Sequence, residues 1–349
     1  MTQDPYKGYN GKTELANYSG LRLFSQCPRL YYEQYIAKTY VEPERDYFVY
    51  GLLVDAMLTS PEEVEARFVR VDRTVSAENA LQYEVDIKGL EAELEPLRGK
   101  AAEGNKTAIK GVEKREREIA ELHVKLAAIK EIKTKQQVTA SVWDHAQATA
   151  EAIKRNPMFP QLEWNQLTSQ AEFYSDRIRR KGRLDYFHLS EPAMKIYAMW
   201  KTKAITEQQM RVEIAKLPEE CRTGIIVDIK TTAKLSQLDP FCYAGQLGFY
   251  QTLVEDVTGI KCDCYIIAGD KDTDIKRAQD FKFSQEVLDQ AKEQVAYIEK
   301  LFWLAKENNV WPSAKELRGI KQDCFKCSSC ADRPFSLNEP YLVTGPKYV

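Results

Sequence analysis

The run Gly224-Ile225-Ile226-Val227-Asp228-Ile229-Lys230-Thr231-Thr232 constrains this chain more than any other segment. From Ile225 to Ile229 it is β-branched and apolar apart from one aspartate, the pattern of a short strand buried in a sheet. Side chains alternate along a strand, so Asp228 and Lys230 project to the same side. A carboxylate and an ammonium at the end of a buried strand are costly unless they are paired or bound to a metal. Asp-x-Lys alone is also what an ordinary strand-end ion pair looks like, so its surroundings decide what it means.

Upstream lies Ala171-Glu172-Phe173-Tyr174-Ser175-Asp176, then the basic run Arg177–Arg183, then Leu184-Asp185-Tyr186-Phe187. This order reads as strand, polar turn, strand. It adds Glu172 and Asp185 to Asp228 and Lys230. Such carboxylates suit a hard divalent cation, Mg²⁺ or Mn²⁺, with waters filling the octahedron. Downstream, Tyr243, Gln246 and Tyr250 recur at i, i+3 and i+7, one face of a helix. The net charge of the chain is −2, so any affinity for a polyanion must come from a local patch. Arg177, Arg179, Arg180, Lys181 and Arg183 are the candidate patch, read either as a solvated hairpin tip or as phosphate contacts beside the metal site.

Taken together, Gly182-Arg183-Leu184-Asp185, Val227-Asp228-Ile229-Lys230-Thr231-Thr232 and Gln246-Leu247-Gly248-Phe249-Tyr250 resemble the PD-(D/E)XK nuclease superfamily, in its RecE-like and RecB/AddB-like branch. The element Ser19-Gly20-Leu21 followed by Cys27-Pro28-Arg29-Leu30-Tyr31-Tyr32 resembles that branch's N-terminal motif. The resemblance runs from about Tyr18 to Cys330. It implies an α/β fold: a mixed central sheet flanked by helices, a restriction-endonuclease-like core. It implies a Mg²⁺- or Mn²⁺-dependent deoxyribonuclease, an exonuclease acting on DNA ends in recombination or repair. Asp185 and Asp228 would hold the metal and Lys230 would position the attacking water, with Glu172, Gln246 and Tyr250 in support. The implied partners are DNA and a single-strand annealing protein or helicase, with homo-oligomers open. One departure stands at Asp55, where the branch usually carries a histidine that touches the metal. Asp55 can replace it as an oxygen ligand. It can equally mark lost activity, which gives the second reading: a catalytically weak or inactive nuclease-fold DNA-binding or scaffold subunit.

The eight cysteines sit in a chain with no secretory signal pattern, so disulfides are not the expectation. Cys324-Phe325-Lys326-Cys327-Ser328-Ser329-Cys330 has the close spacing of a metal motif, and Cys27 is the candidate fourth ligand. Some AddB-like nucleases, and a related family from CRISPR adaptation, are similar in layout: one N-terminal cysteine and three near the C-terminus hold an iron–sulfur cluster. That implies a [4Fe–4S] cluster, with Zn²⁺ or no metal as alternatives. The final gap here is narrower than that family's.

The organisation expected is an N-terminal helical part (1–85), a helical-hairpin insertion (86–135), a nuclease core (136–310) and a cysteine-rich tail (311–349). Helices are expected at Leu21–Tyr35 with a break at Pro28, at Val49–Leu58, within 86–135 on either side of Gly99–Thr107, at Ser141–Asn156, at Ile205–Leu217 and at Gln285–Asn308. Strands are expected at Met194–Trp200, Lys261–Ala268 and Arg277–Phe283. No apolar run reaches the roughly 18 residues of a membrane span, and a cytoplasmic protein is expected.

Overall fold

The computed structural model describes residues 14–40, 46–71, 77–133, 135–158, 168–271 and 276–313. In chain order its main elements are α1 (Tyr18–Gln26), α2 (Asp46–Thr59), β1 (Phe68–Val71), α3 (Ala77–Ala102), α4 (Lys106–Lys133), β2 (Gln136–Thr139), α5 (Ala140–Lys154), β3 (Ser169–Ser175), β4 (Arg180–Leu189), α6 (Glu191–Lys201), α7 (Glu207–Ala215), β5 (Gly224–Thr232), α8 (Ala244–Thr258), β6 (Asp263–Asp270), β7 (Ala278–Lys282) and α9 (Gln285–Asn308). They fall into two compact units, one within 47–147 and the other joining the residues before 47 to those from 148 onward.

In the first unit, β1 and β2 pair in parallel from Phe68↔Gln136 to Val71↔Thr139. α3 and α4 run antiparallel: Arg98 pairs with Glu116 and Arg115 with Glu93. Ile87 and Leu126 are buried in their seam, with Tyr83, Ile119 and Leu122 packed around them. The break between these helices is narrower than the sequence suggests. Gly99 stays helical, and Asn105 starts α4 by accepting the Thr107 and Ala108 N–H groups, the usual role of an N-cap side chain.

The second unit is built on a mixed five-stranded sheet, ordered β3-β4-β5-β6-β7. β5 and β6 are parallel and the other neighbours antiparallel. β5 is the central strand and buries Ile226, Val227 and Asp228. The core includes Leu184, Phe187, Ile226, Leu247, Leu253 and Phe302, drawn from β4, β5, α8 and α9. α5 reaches the end of β6, where the Thr149 hydroxyl donates to the Asp270 carbonyl at 2.7 Å. The α/β class with a mixed sheet between helices therefore holds.

One local expectation is corrected. Met194–Trp200 is helix, not strand. Pro192 sits in the first turn of α6, where its missing N–H does no harm. Ala193 and Tyr197, four apart, are the residues it buries, so the helical period overrode the strand preference of Ile196, Tyr197 and Trp200. The break expected at Pro28 is present, with a π turn after it. α1 ends at Gln26, Cys27 is extended, a new helix starts at Pro28, and Tyr32–Ile36 is a wide π turn.

Candidate hydrolytic centre

β5 carries Asp228 and Lys230 to the same side, and Lys230 Nζ lies 2.5 Å from Asp228 Oδ2. The β4–β5 ladder pairs Leu189↔Gly224 through Tyr186↔Val227 and goes no further. Just past its end, the Ile229 N–H is taken by the Asp185 carboxylate at 2.8 Å instead of by backbone. Asp185 is thereby fixed where the two strands stop pairing, beside Asp228. On α8, Gln246 Nε2 donates to Asp228 Oδ1 at 3.0 Å and to the Tyr250 hydroxyl at 3.3 Å. Tyr243 places its ring 5.2 Å from Lys230 Nζ. The structure thus brings Asp185, Asp228, Lys230, Gln246 and Tyr250 together. A Cβ at Gly182 would lie 3.1 Å from the Tyr250 ring and 2.9 Å from Leu253, so glycine there lets α8 settle against β4.

Asp228 is 2 % exposed, and its carboxyl is pushed up to about 7. Burial is the main cause and Asp185 adds to it, against the downward pull of Lys230. Burial would lower the Lys230 ammonium, but Asp228 and Asp185 outweigh it and the net shift is upward. Asp228 Oδ2 has no properly aligned hydrogen bond despite its contact with Lys230. The contact is charge against charge, short but off the usual hydrogen-bond direction.

Among the described residues, no group of three or more His, Cys, Asp and Glu is arranged to hold a metal ion. Two carboxylates remain, and they fit a Mg²⁺-like ion, which keeps several waters and takes one or two carboxylates plus substrate phosphate oxygens.

Other residues singled out in the sequence lie differently. The Glu172 carboxylate accepts the Tyr174 hydroxyl at 2.5 Å, so it is engaged along its own strand rather than with Asp185 or Asp228. Asp55 lies on α2 in the first unit, where its carbonyl accepts the Thr59 hydroxyl. The basic run is not a continuous solvent-facing tip. Arg180 and Lys181 are 7 % and 4 % exposed, because β4 begins at Arg180 and carries both into the sheet. Arg180 is held by Glu299 through contacts of 2.7, 3.0 and 3.2 Å. Arg177 pairs with Asp256. Arg179 stacks 3.5 Å from the Trp303 ring centroid and meets Glu307. Arg183 is half-buried on β4. Cys27 is buried and its sulfur accepts the Leu30 N–H. Cys324, Cys327 and Cys330 lie outside the described residues.

Tyr18 was not singled out by the sequence. A Cβ on Gly245 would lie 2.7 Å from the Tyr18 hydroxyl, so this ring rests on the start of α8, next to Gln246. Its phenol is raised, chiefly by burial, and it feels Asp228 and Lys230 among its neighbouring charges. Its signals were modest: a tyrosine after the helix-capping Asn17, and a glycine just before Gln246.

No family model and no curated protein matches the chain. Among solved structures the chain is similar to a crystal structure from Eubacterium rectale named "Putative exonuclease", with a TM-score of 0.51 and 14 % sequence identity over 99 % of both chains. At that identity the likeness is one of fold. No helix among the described residues is long and apolar enough to cross a membrane.

Proposed function

We propose that Asp185, Asp228 and Lys230 form the centre of a Mg²⁺- or Mn²⁺-dependent deoxyribonuclease that hydrolyses phosphodiesters at DNA ends. The observation that carries this reading is the buried Asp228, with one oxygen lacking an aligned donor, between a second carboxylate and a lysine. A fold shared with a protein named as an exonuclease supports it. Asp185 and Asp228 would hold the divalent ion. When bound, such an ion polarises the phosphate and lowers the pKa of its water. Lys230 keeps its proton beside the carboxylates and offers positive charge to the phosphorane-like transition state. Gln246 fixes the orientation of Asp228, and Tyr250 in turn fixes Gln246. A thiolate metal centre at Cys27, Cys324, Cys327 and Cys330 belongs to the same proposal on sequence grounds. Iron and zinc content of anaerobically purified wild type against Cys27→Ser tests it.

The activity test is Mg²⁺-dependent cleavage of linear and covalently closed circular DNA, with wild type and Lys230→Ala in parallel. Linear DNA should be digested and circular DNA spared, and the variant should lose on the order of a thousandfold or more. Equal cleavage by both proteins removes the centre. End binding without cleavage by the wild type moves the protein to the non-catalytic subunit reading.

A further inference from the structure

Phe241 is the most exposed aromatic side chain among the described residues, at 64 %. It stands in the 3₁₀ turn Pro240–Tyr243 that leads into α8. The turn is held from within: the Asp239 carboxylate accepts the Phe241 N–H at 3.0 Å, and Cys242 Sγ donates to the Asp239 carbonyl at 2.9 Å. Phe283, just past β7, braces the ring from one side, with centroids 6.3 Å apart and planes at 76°. Two residues on, Tyr243 lies over Lys230. Two Cα steps span at most about 7.6 Å, so Phe241 stands beside the proposed centre.

An unpaired cation lies close by. Arg22 follows Tyr18 by one turn of α1 and shares its face, and Tyr18 rests on Gly245 at the start of α8. The Arg22 charge reaches both Tyr18 and Cys242, the residue next to Phe241. Arg22 is exposed, and among the described residues its guanidinium makes no ion pair or hydrogen bond. Arg177, Arg179 and Arg180 differ: each is engaged by a carboxylate of the protein. Single apolar residues on a surface are ordinary. A ring held on a capped turn, with an unpaired guanidinium near it, offers more: a π face for a base and a charge for a phosphate. Base–aromatic stacking tolerates any sequence because every base has a π face.

We propose that Phe241 and Arg22 hold a single DNA strand at the hydrolytic centre, Phe241 stacking on a base and Arg22 contacting a backbone phosphate. This rests on the nuclease reading for the identity of the strand, but binding is measured apart from cleavage.

The experiment is fluorescence anisotropy of a labelled oligo(dT) in EDTA, with the full-length wild type, Phe241→Ala, Phe241→Trp, Arg22→Ala, Arg22→Lys and Tyr297→Ala. All six are first checked for equal thermal unfolding. Phe241→Ala should weaken binding about tenfold, the scale of one base–aromatic stack, and Phe241→Trp should restore it. Arg22→Ala should lower the slope of log affinity against log salt by about 0.7, one phosphate contact on a single strand, and Arg22→Lys should keep the slope. Tyr297 on α9 is nearly as exposed, at 59 %, and Tyr297→Ala should bind as wild type does. Folded Phe241→Ala and Arg22→Ala proteins that bind like wild type overturn the proposal. So does a Tyr297→Ala protein weakened as much as Phe241→Ala. A wild type that binds through Phe241 and Arg22 yet cleaves no DNA in Mg²⁺ fails the nuclease reading and leaves the strand site standing.

Discussion

Two buried ion pairs sit on neighbouring strands of one sheet, and they are built to opposite ends. Arg180 on β4 meets Glu299 through three contacts, and its guanidinium also lies 4.8 Å from the Phe249 ring centroid. Such a fork-to-carboxylate pair is held by parallel charge-assisted bonds, and it fastens β4 to α9. Lys230 and Asp228 on β5 touch at one point, with a second carboxylate close by and one oxygen lacking an aligned donor. A pair that only had to hold the fold would be finished like the first. The pair on β5 is the one proposed to take a cation. Stability and function are thus separable here by asking which buried charges are saturated.

The largest expected effect would break the structural side of this contrast. Glu299→Ala leaves the buried Arg180 uncompensated, and chemical denaturation should show a loss of about 3–5 kcal/mol. Replacing both residues together with leucine or methionine should recover most of that loss. A single variant as stable as wild type would mean that Arg180 is not held as described.

The next effect has the opposite sign and sharpens the functional side. Burial raises the Asp228 carboxyl in the folded chain above its unfolded value. Between those values the folded chain binds more protons than the unfolded one, so Asp228 lowers stability progressively as pH rises through the window. In metal-free buffer, Asp228→Asn should therefore gain stability relative to wild type as pH rises through that window, on top of a pH-independent loss from leaving Lys230 without its partner. A gap that does not change with pH contradicts the shift.

The smallest effect sets the baseline. Arg98 and Glu116 on the α3–α4 hairpin are about half exposed. Arg98→Ala should leave the stability close to wild type, and any small loss should fade as salt is raised. A larger, salt-insensitive loss would remove the distinction between buried and exposed pairs.

Legibility in the sequence followed the same physics. β5 was readable because an unbroken β-branched run has few alternatives. The same-side placement of Asp228 and Lys230 followed from the strand period alone. Gln246 and Tyr250 were readable from helical spacing, and the end of α9 at Asn308 from its amphipathic stripe. α6 was misread because aromatic and β-branched residues suit a strand locally, while tertiary burial of Ala193 and Tyr197 chose a helix. Within the basic run, the burial of Arg180 and Lys181 was not readable, because charge predicts exposure only where no buried partner waits. Glu299 lies on α9, over a hundred residues from Arg180, and nothing local announces it. Tyr18 was missed for a similar reason: its relation to Gly245 and Asp228 exists only after α1 and α8 have docked.

The central claim is that Asp185 on β4 and Asp228 on β5 form a cation site. Calorimetric titration of the wild-type protein with Mn²⁺, beside Asp185→Asn and Asp228→Asn, tests it most directly. One binding event should appear in the wild type and be lost or weakened at least tenfold in each variant, since each removes a carboxylate ligand. Mn²⁺ binding unchanged in both variants would contradict the account.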